Sequence, residues 1–215
     1  MPLLIRPACV EDAALAVPLI CSSGPAAFDY VFARGGGDAT AFLRRAFVDG
    51  AGEFGWRNHV VAEYAGQVVA AGSGFGKADT RGFTVAAARQ IARHFGVRAV
   101  GVIACGLRTE RLIRPPVADE FYLGHLGVAP ALRGHGIGTE LVHWLMARGR
   151  ERGLTTAVLD VAADNPQAEA LYARLGFAVT GVRASRLRNA HGAVPTQRRM
   201  QRPLRATPTD ACATA

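Results

Sequence analysis

The stretch from Leu123 to Gly138 constrains the fold of this 215-residue chain most. It predicts a β-strand, followed by a glycine-rich loop and then by an amphipathic helix. Gly134, Gly136 and Gly138 stand at alternate positions directly after Arg133. The first N–H groups of a helix lack partners within the helix and carry the positive end of its dipole. Because glycines let the backbone approach an anion closely, the pattern predicts a phosphate or pyrophosphate site.

Regular structure is predicted on both sides of this loop. The predicted strands cover residues 3–6, 59–64, 67–75, 120–128, 156–161, 177–187 and 196–204. The predicted helices cover residues 11–20, a segment after an Asp38 N-cap, 84–95, 98–113, 138–152 and 165–175. Ala65-Gly66 between two β-rich runs predicts an antiparallel hairpin. Antiparallel strands followed by a strand–helix–strand–helix–strand order predict an α/β (α+β) fold, a mixed sheet with helices on both faces.

The domain organisation is expected to be simple. Residues 1–205 are predicted to form one domain, and residues 206–215 a disordered tail, because they lack periodicity and large aliphatic side chains. Residues 80–116 are predicted to be a helical insertion between two strands, and this insertion ends at Pro115-Pro116. We predict that it acts as a lid over a small-molecule cleft, with Gly101 and Gly106 making its second helix deformable. A packing appendage or a homodimer surface is the alternative.

Charge and cysteine usage exclude several classes of protein. The formal net charge is +8, but Lys77 is the only lysine among the basic residues. Such a uniform bias indicates a generic basic surface, so we expect no nucleic-acid partner. The four cysteines show no CxxC pair and no zinc spacing, so no metal is expected. The apolar run 97–107 is too short to span a bilayer, and Glu11 and Asp12 stand where a signal peptide needs basic residues. A soluble, cytoplasmic protein is therefore expected.

Two other phosphate-binding motifs compete for the glycine-rich loop. A P-loop is excluded, because no Gly-Lys-Ser/Thr sequence is present. A dinucleotide-binding oxidoreductase domain is a fair competitor, since Asp160 ends the next strand at a suitable distance. Against it, the third glycine of that fingerprint would fall at Thr139. The loop also lies late in the chain, after antiparallel strands.

A second motif follows the loop and completes a family resemblance. Asn165 precedes a helix that carries Tyr172, and Gly176-Phe177 follows that helix. With Arg133, Gly136 and Gly138, this order resembles the GNAT superfamily of acyl-CoA N-acyltransferases over residues 3–204. The resemblance implies a mostly antiparallel central sheet and an acetyl-CoA-dependent N-acetyltransferase without a metal. A non-catalytic acyl-CoA-binding regulator on the same fold is the alternative.

The resemblance also implies the residues that bind acetyl-CoA. The backbone of Leu126–Val128 would hold the pantetheine arm, and the Val128 N–H would polarise the thioester carbonyl as an oxyanion donor. The whole implied set is Leu126, Gly127, Val128, Arg133, Gly134, His135, Gly136, Ile137, Gly138, Thr139, Asn165 and Tyr172. Asn165 is explained equally well as a helix N-cap.

Two residues are predicted to act on the reacting groups. The acceptor is a primary amine of a small molecule or peptide and must lose a proton before it attacks. Glu120 is the predicted base, because in a regular strand it shares a face with Tyr122, Gly124 and Leu126. Asp119 and His125 are the substitutes, and His125 needs a bulge to reach that face. Tyr172 is predicted to direct its hydroxyl at the leaving CoA sulfur, with core packing as the alternative.

Overall fold

A central β-sheet organises the protein in this computed structural model, which describes residues 2–33 and 39–204. The strands are β1 (Leu4–Pro7), β2 (His59–Tyr64), β3 (Gln67–Gly76), β4 (Glu120–Val128), β5 (Thr156–Ala162), β6 (Ala178–Arg183), β7 (Arg188–Asn189), β8 (Gly192–Ala193) and β9 (Gln197–Pro203). Seven of them form one sheet in the spatial order β1-β2-β3-β4-β5-β9-β6, and β7 with β8 forms a separate short hairpin. Within the large sheet only β4 and β5 pair in parallel.

Seven α-helices cover the two faces of the sheet in the described part of the chain. They are α1 (Ala13–Ser22), α2 (Pro25–Phe32), α3 (Ala39–Asp49), α4 (Lys77–Phe95), α5 (Ala99–Thr109), α6 (Ile137–Glu151) and α7 (Pro166–Arg174). Buried side chains of α1, α2, α3 and α5 form one hydrophobic core on the first face, and those of α6 and α7 form another on the second face. The α/β class with a mostly antiparallel sheet and helices on both faces is confirmed.

No single helix among these seven has the length and hydrophobicity to cross a membrane, although the bent pair Val10–Ser22 and Pro25–Phe32 passes that test together by length and composition alone.

Several element boundaries differ from the sequence prediction. Helix α2 was missed, although Pro25 occupies its first turn, where the absent N–H of proline costs nothing. The predicted strand 177–187 ends at Arg183, and the hairpin of β7 and β8 follows it. The Asp38 N-cap and the tail 206–215 lie outside the described residues.

The segment 80–116 contains two helices, as predicted. Helix α4 begins at Lys77, because the Asp79 carboxylate accepts a hydrogen bond from the Gly76 N–H and caps its first turn. Helix α5 ends at Thr109, four residues before the predicted end, and packs against α2. Two arginines of the sheet hold the segment that follows α5: Arg183 donates to the Leu112 carbonyl and Arg199 to the Arg114 carbonyl. Its role as a lid stays a prediction.

A bulge in β4 changes which of its residues share a face. Ser73 of β3 pairs with Gly124, and Ala71 pairs with Gly127, so two residues of β4 lie opposite one residue of β3. His125 takes a positive φ of 55° at this point. The expectation that Leu126 shares a face with Glu120 is therefore wrong: Leu126 packs into the core beneath α6 on the second face.

Two helical glycines differ in the space around them, and this difference predicts opposite effects on stability when each is replaced by alanine. A Cβ at Gly149 of α6 would lie 2.8 Å from Phe121 and 2.9 Å from Leu204, whereas a Cβ at Gly82 of α4 would meet no atom within 4 Å. Gly149→Ala should destabilise the protein by about 1–3 kcal/mol through overpacking. Gly82→Ala should stabilise it by up to about 1 kcal/mol through helix propensity. Urea denaturation of both variants checks this, and stabilisation by Gly149→Ala would contradict the described packing.

Candidate active site

The open edge of β4 is the first component of the site. Strand β5 pairs with β4 only at residues 120–122, so the remainder of β4 has no strand partner on that side in the described structure. The Ala129 N–H donates to the Val69 carbonyl on the β3 side. Since backbone groups alternate along a strand, the N–H and C=O of Val128 point toward the open edge. The Val128 carbonyl accepts a hydrogen bond there from Arg133 Nε at 3.1 Å.

The glycine-rich loop lies directly beyond this edge. Gly134 and Gly136 have φ values of 81° and 82°, a conformation in which a side chain is strained. A Cβ at either position would meet no atom within 4 Å, so the space above the loop is open. Gly136 is the N-cap of α6 and offers no capping side chain, which leaves the first N–H groups of the helix, those of Ile137, Gly138 and Thr139, to other partners. The loop therefore has the donors and the space that an anion needs.

Helix α7 packs beside the loop and brings Tyr172 with it. A Cβ at Gly138 would lie 3.5 Å from Leu171, which is ordinary van der Waals contact. Tyr172 is buried in the second-face core, with its ring edge-on to Phe177 at a centroid distance of 6.0 Å. Burial raises the pKa of Tyr172 to about 12. Asn165 is the N-cap of α7, and its side-chain oxygen accepts a hydrogen bond from the Ala168 N–H.

A buried charge cluster surrounds the predicted base Glu120. One carboxylate oxygen of Glu120, Oε2, accepts hydrogen bonds from Arg199 Nη2 at 2.6 Å and from the Val117 N–H at 3.1 Å. Arg199 also donates to Asp160 at 2.9 Å, and Arg183 donates to the other oxygen of Asp160 at 3.3 Å. This pairing is not evident from the sequence, because Asp160 lies 23 and 39 residues before the two arginines.

Asp160 lies at the centre of this cluster, and its side chain is only 1% exposed. Burial raises the pKa of Asp160, although the charges of Arg199 and Arg183 oppose that shift. Burial also raises the pKa of Tyr122 well above its ordinary value, and the Asp160 charge raises it further. The cluster joins β4, β5, β6 and β9, and backbone groups of Leu112, Arg114 and Val117 also hydrogen-bond to its members.

A histidine pair on the first face is a feature that sequence reasoning missed. His59 Nε2 lies 3.2 Å from His125 Nδ1, and the two rings stack with centroids 5.3 Å apart. The sequence predicted His125 only as a substitute base that needs a bulge, and it did not predict His59 as a site residue. The signal that could have found the pair is the hairpin register, which places His59 opposite Ser73, and the β4 bulge, which brings His125 to Ser73.

Hydrogen bonding and burial fix the protonation of His59. Its Nδ1 lies 3.0 Å from the Gly55 carbonyl, which can only accept, so Nδ1 carries the proton. Burial, and to a smaller extent the neighbouring His125, lower the pKa of His59 to about 3. His59 is therefore neutral, and its Nε2 is a hydrogen-bond acceptor.

The structure separates the predicted site residues into two groups. The open edge of β4, the loop, the start of α6 and α7 lie together and contain the whole predicted cofactor set. Glu120 lies at the other end of β4, paired with Thr156 of β5. Within residues 2–33 and 39–204, no three His, Cys, Asp or Glu side chains form a metal-binding group.

Comparisons with known proteins agree with this geometry. The model of the Acetyltransferase (GNAT) family matches residues 43–177, well over half of the chain. A 5-NmdU N-acetyltransferase of Pseudomonas phage PaMx11 is 44% identical over 64 residues, which is 30% of this chain and 44% of that protein. A mycothiol acetyltransferase of Catenulispora acidiphila is 42% identical over 62 residues, 29% of this chain and 19% of that protein. The chain thus matches less than half the length of these curated relatives.

A solved structure shows the same fold over nearly the whole chain. It is a GNAT superfamily phosphinothricin acetyltransferase from Sinorhizobium meliloti in complex with acetyl-CoA. The TM-score is 0.57 at 18% identity, and the alignment covers 94% of this chain and 89% of the other. At this identity the likeness extends to the fold.

The neutral state of His59 predicts a specific pH dependence of stability. The folded state keeps His59 neutral down to pH about 3, whereas the unfolded chain binds its proton near the ordinary value of 6.5. Stability is therefore lost as the pH falls below 6.5, by up to about 1.4 kcal/mol per pH unit from this group. His59→Gln lacks the titrating group, and denaturant unfolding between pH 7 and 4 should show a shallower loss. Equal slopes for both proteins would contradict the assignment.

Proposed function

Because this chain belongs to the acetyltransferase (GNAT) family, we propose that it moves an acetyl group from acetyl-CoA to a primary amine. The amine attacks the thioester directly in a ternary complex. One observation carries the proposal: the loop of Gly134 and Gly136, with its free helix N–H groups, adjoins the unpaired edge of β4. An anionic, extended cofactor needs an anion site beside a row of open backbone groups.

The pyrophosphate of acetyl-CoA is proposed to bind the loop residues 133–139. The N–H groups of Ile137, Gly138 and Thr139 supply donors at the positive end of the α6 dipole. Arg133 is anchored by Nε to the Val128 carbonyl, which leaves its terminal nitrogens for a phosphate oxygen. The pantetheine arm is proposed to pair with the open edge at Leu126–Val128. The outward N–H of Val128 is the proposed donor to the thioester carbonyl.

Tyr172 is proposed to stabilise the departing CoA thiolate. With its pKa raised to about 12, complete proton transfer to a thiolate with a pKa of about 8.5 costs on the order of 5 kcal/mol. A hydrogen bond from the phenol carries no such cost. Support for this role comes from the packing of α7 beside the loop, which brings the tyrosine to the same side of the sheet as the proposed cofactor.

The acceptor is proposed as a class, a primary amine of a small molecule or a peptide. The two curated relatives are named for different acceptors, and neither match covers half of the relative. A cytoplasmic location and a homodimer stay predictions.

The cofactor assignment predicts that Gly136→Asp abolishes acetyl-CoA binding. The new side chain would occupy the open space above the loop and place a negative charge beside the pyrophosphate. Gly153→Asp is the matched control, because Gly153 has a similar φ of 73° and equally open surroundings. It follows the C-terminal end of α6, whereas Gly136 precedes the N-terminal end, so the variant imposes similar backbone strain and the same charge at the opposite end of the helix. Isothermal titration calorimetry with acetyl-CoA measures both variants.

The two titrations must differ for the assignment to stand. Binding by Gly136→Asp as tight as binding by the parent protein would show that the loop is not the pyrophosphate site. Loss of binding in both variants would show that charge or strain alone weakens binding, and would equally remove the support for the loop.

The proposed role of Tyr172 predicts that Tyr172→Phe lowers kcat with little change in acetyl-CoA affinity. A hydrogen bond to a charged group contributes roughly 1.5–3 kcal/mol, so the expected loss is on the order of ten- to a hundredfold. Tyr64→Phe, at the exposed end of β2, is the control and should leave kcat unchanged. Thiol release measured against acetyl-CoA concentration separates kcat from KM. An unchanged kcat in Tyr172→Phe removes the hydroxyl from the mechanism.

A further inference from the structure

The β4 bulge brings His125 onto the first face of the sheet, next to the stretch proposed for pantetheine. Its ring lies between two phenylalanines, 5.9 Å from Phe28 of α2 and 5.1 Å from Phe54, measured between centroids. The side chain is 11% exposed, so one edge of the imidazole reaches solvent. A positive φ in a non-glycine residue is strained, and such strain is often found at functional sites.

A chain of hydrogen bonds determines which nitrogen of His125 carries the proton. His59 Nε2 is an acceptor, because His59 is neutral and donates from Nδ1 to the Gly55 carbonyl. His125 Nδ1 lies 3.2 Å from that acceptor and must therefore donate to it. Ser73 agrees with this assignment: its hydroxyl donates to the Gly124 carbonyl and leaves an oxygen lone pair 3.3 Å from His125 Nδ1. In the neutral imidazole of His125, Nε2 consequently holds a free lone pair.

The group that faces this lone pair is a carboxylate. Glu53 Oε1 lies 3.4 Å from His125 Nε2, and the Glu53 side chain is 37% exposed. Two acceptors that face each other within reach of solvent are satisfied by a cation with several N–H donors. An ammonium group has three such donors and can contact the carboxylate and the imidazole together.

We propose that the acceptor ammonium binds Glu53 and transfers a proton to Nε2 of His125, which acts as the catalytic base. This inference rests on the proposed N-acetyltransferase function and identifies the group that activates its acceptor. The neutral amine then attacks the thioester carbon, the N–C bond forms and the C–S bond breaks. The CoA sulfur leaves with the bonding electron pair, and the attacking nitrogen gives up its second proton to the departing thiolate or to water. The proton on His125 passes to water.

Glu120, the base predicted from the sequence, is bound in a way that opposes this role. Its Oε2 already accepts from the Arg199 guanidinium and the Val117 N–H. It also stands five residues before His125, at the end of β4 that pairs with β5. Removal of the Glu120 charge would take a charged hydrogen-bond partner from Arg199 within a buried cluster. Glu120 therefore stabilises the sheet.

His59 is a positioning residue for this base. It touches neither proposed substrate, but its Nε2 holds the proton of His125 on Nδ1 and thereby keeps Nε2 of His125 unprotonated. The arrangement resembles the orienting acid of a catalytic triad, with a neutral imidazole in the place of the carboxylate.

The base role is tested by nucleophiles that differ in their need for deprotonation. Full-length wild type, His125→Asn and Glu120→Gln are assayed for thiol release from acetyl-CoA with a panel of primary alkylamines and with hydroxylamine. Alkylamines are mostly protonated at neutral pH, whereas hydroxylamine is mostly neutral and needs no base before attack. Asn at position 125 keeps an N–H donor toward His59 and removes Nε2. Calorimetry with acetyl-CoA confirms that each variant is folded and binds cofactor.

His125→Asn should lose on the order of a hundredfold or more in kcat with the alkylamine that wild type uses best. Its rate with hydroxylamine should stay within a few-fold of wild type, and Glu120→Gln should keep most of its alkylamine rate. Equal loss with both nucleophiles, or loss confined to Glu120→Gln, overturns the inference. If wild type binds no acetyl-CoA and releases no thiol with any nucleophile, the proposed function itself fails.

The tautomer is tested separately by nitrogen NMR of the imidazole rings in the full chain. Wild type should show both His59 and His125 protonated on Nδ1 at neutral pH, and a proton on Nε2 of neutral His125 overturns the inference. His59→Phe should lower kcat with the alkylamine but leave KM for acetyl-CoA unchanged. His59→Gln places an acceptor oxygen near the position of Nε2 and should restore most of the rate. Failure of that rescue shows that His59 does not act through His125.

Discussion

The short parallel pairing of β4 with β5 is the constraint on which the rest of the site depends. The two strands pair over residues 120–122 of β4 and then separate, so the outward backbone groups of β4 beyond Tyr122 have no strand partner in the described structure. In a closed sheet those groups would bond to the neighbouring strand and could bind nothing else. The separation of the strands matters for the glycine-rich loop, because the loop begins where the open edge of β4 ends.

Charge pairing holds the closed end of the two strands together. Asp160 of β5 is buried and takes hydrogen bonds from Arg183 and Arg199, and Arg199 extends to Glu120 of β4. Removing one member of a buried charge network leaves another without a partner, which costs several kcal/mol. The same two arginines bind carbonyls after α5, so the network also fixes where the insertion returns to the sheet. These charge pairs thus hold β4 and β5 together near the end at which the two strands pair.

The parts of the fold that were predictable from sequence are those with a local signal. The β2–β3 hairpin, the span of β4 and the Asn165 cap of α7 depend on residues close together in the chain. The glycine-rich loop at the start of α6 belongs to the same class, because its glycines and Arg133 are contiguous. The structure shows that this loop adjoins the open edge of β4, and its role in cofactor binding stays a proposal.

The parts that were not predictable depend on one backbone irregularity and on long-range pairing. A bulge at His125 leaves no clear trace in an alternating pattern, yet it moves Leu126 to the second face and His125 to the first. From the sequence alone, the arginines of β6 and β9 are expected on a solvated face. In the fold, β5 places Asp160 between Arg183 and Arg199. His59 and His125 are 66 residues apart in the chain and meet only through β3.

The two ends of β4 differ in how their charged groups are paired. This difference distinguishes the groups that stabilise the sheet from those that are proposed to react. Toward the closed end Glu120 and Asp160 are each paired with a guanidinium, so they gain little by taking a proton from a substrate. At the bulge, Glu53 and the lone pair of His125 face each other with no cation of the protein between them in the described structure. The loop beyond Val128 presents the first N–H groups of α6 and suits an anion. In the proposed complex a cationic acceptor and an anionic cofactor therefore approach β4 from two sides, with the thioester where the strand backbone lies open.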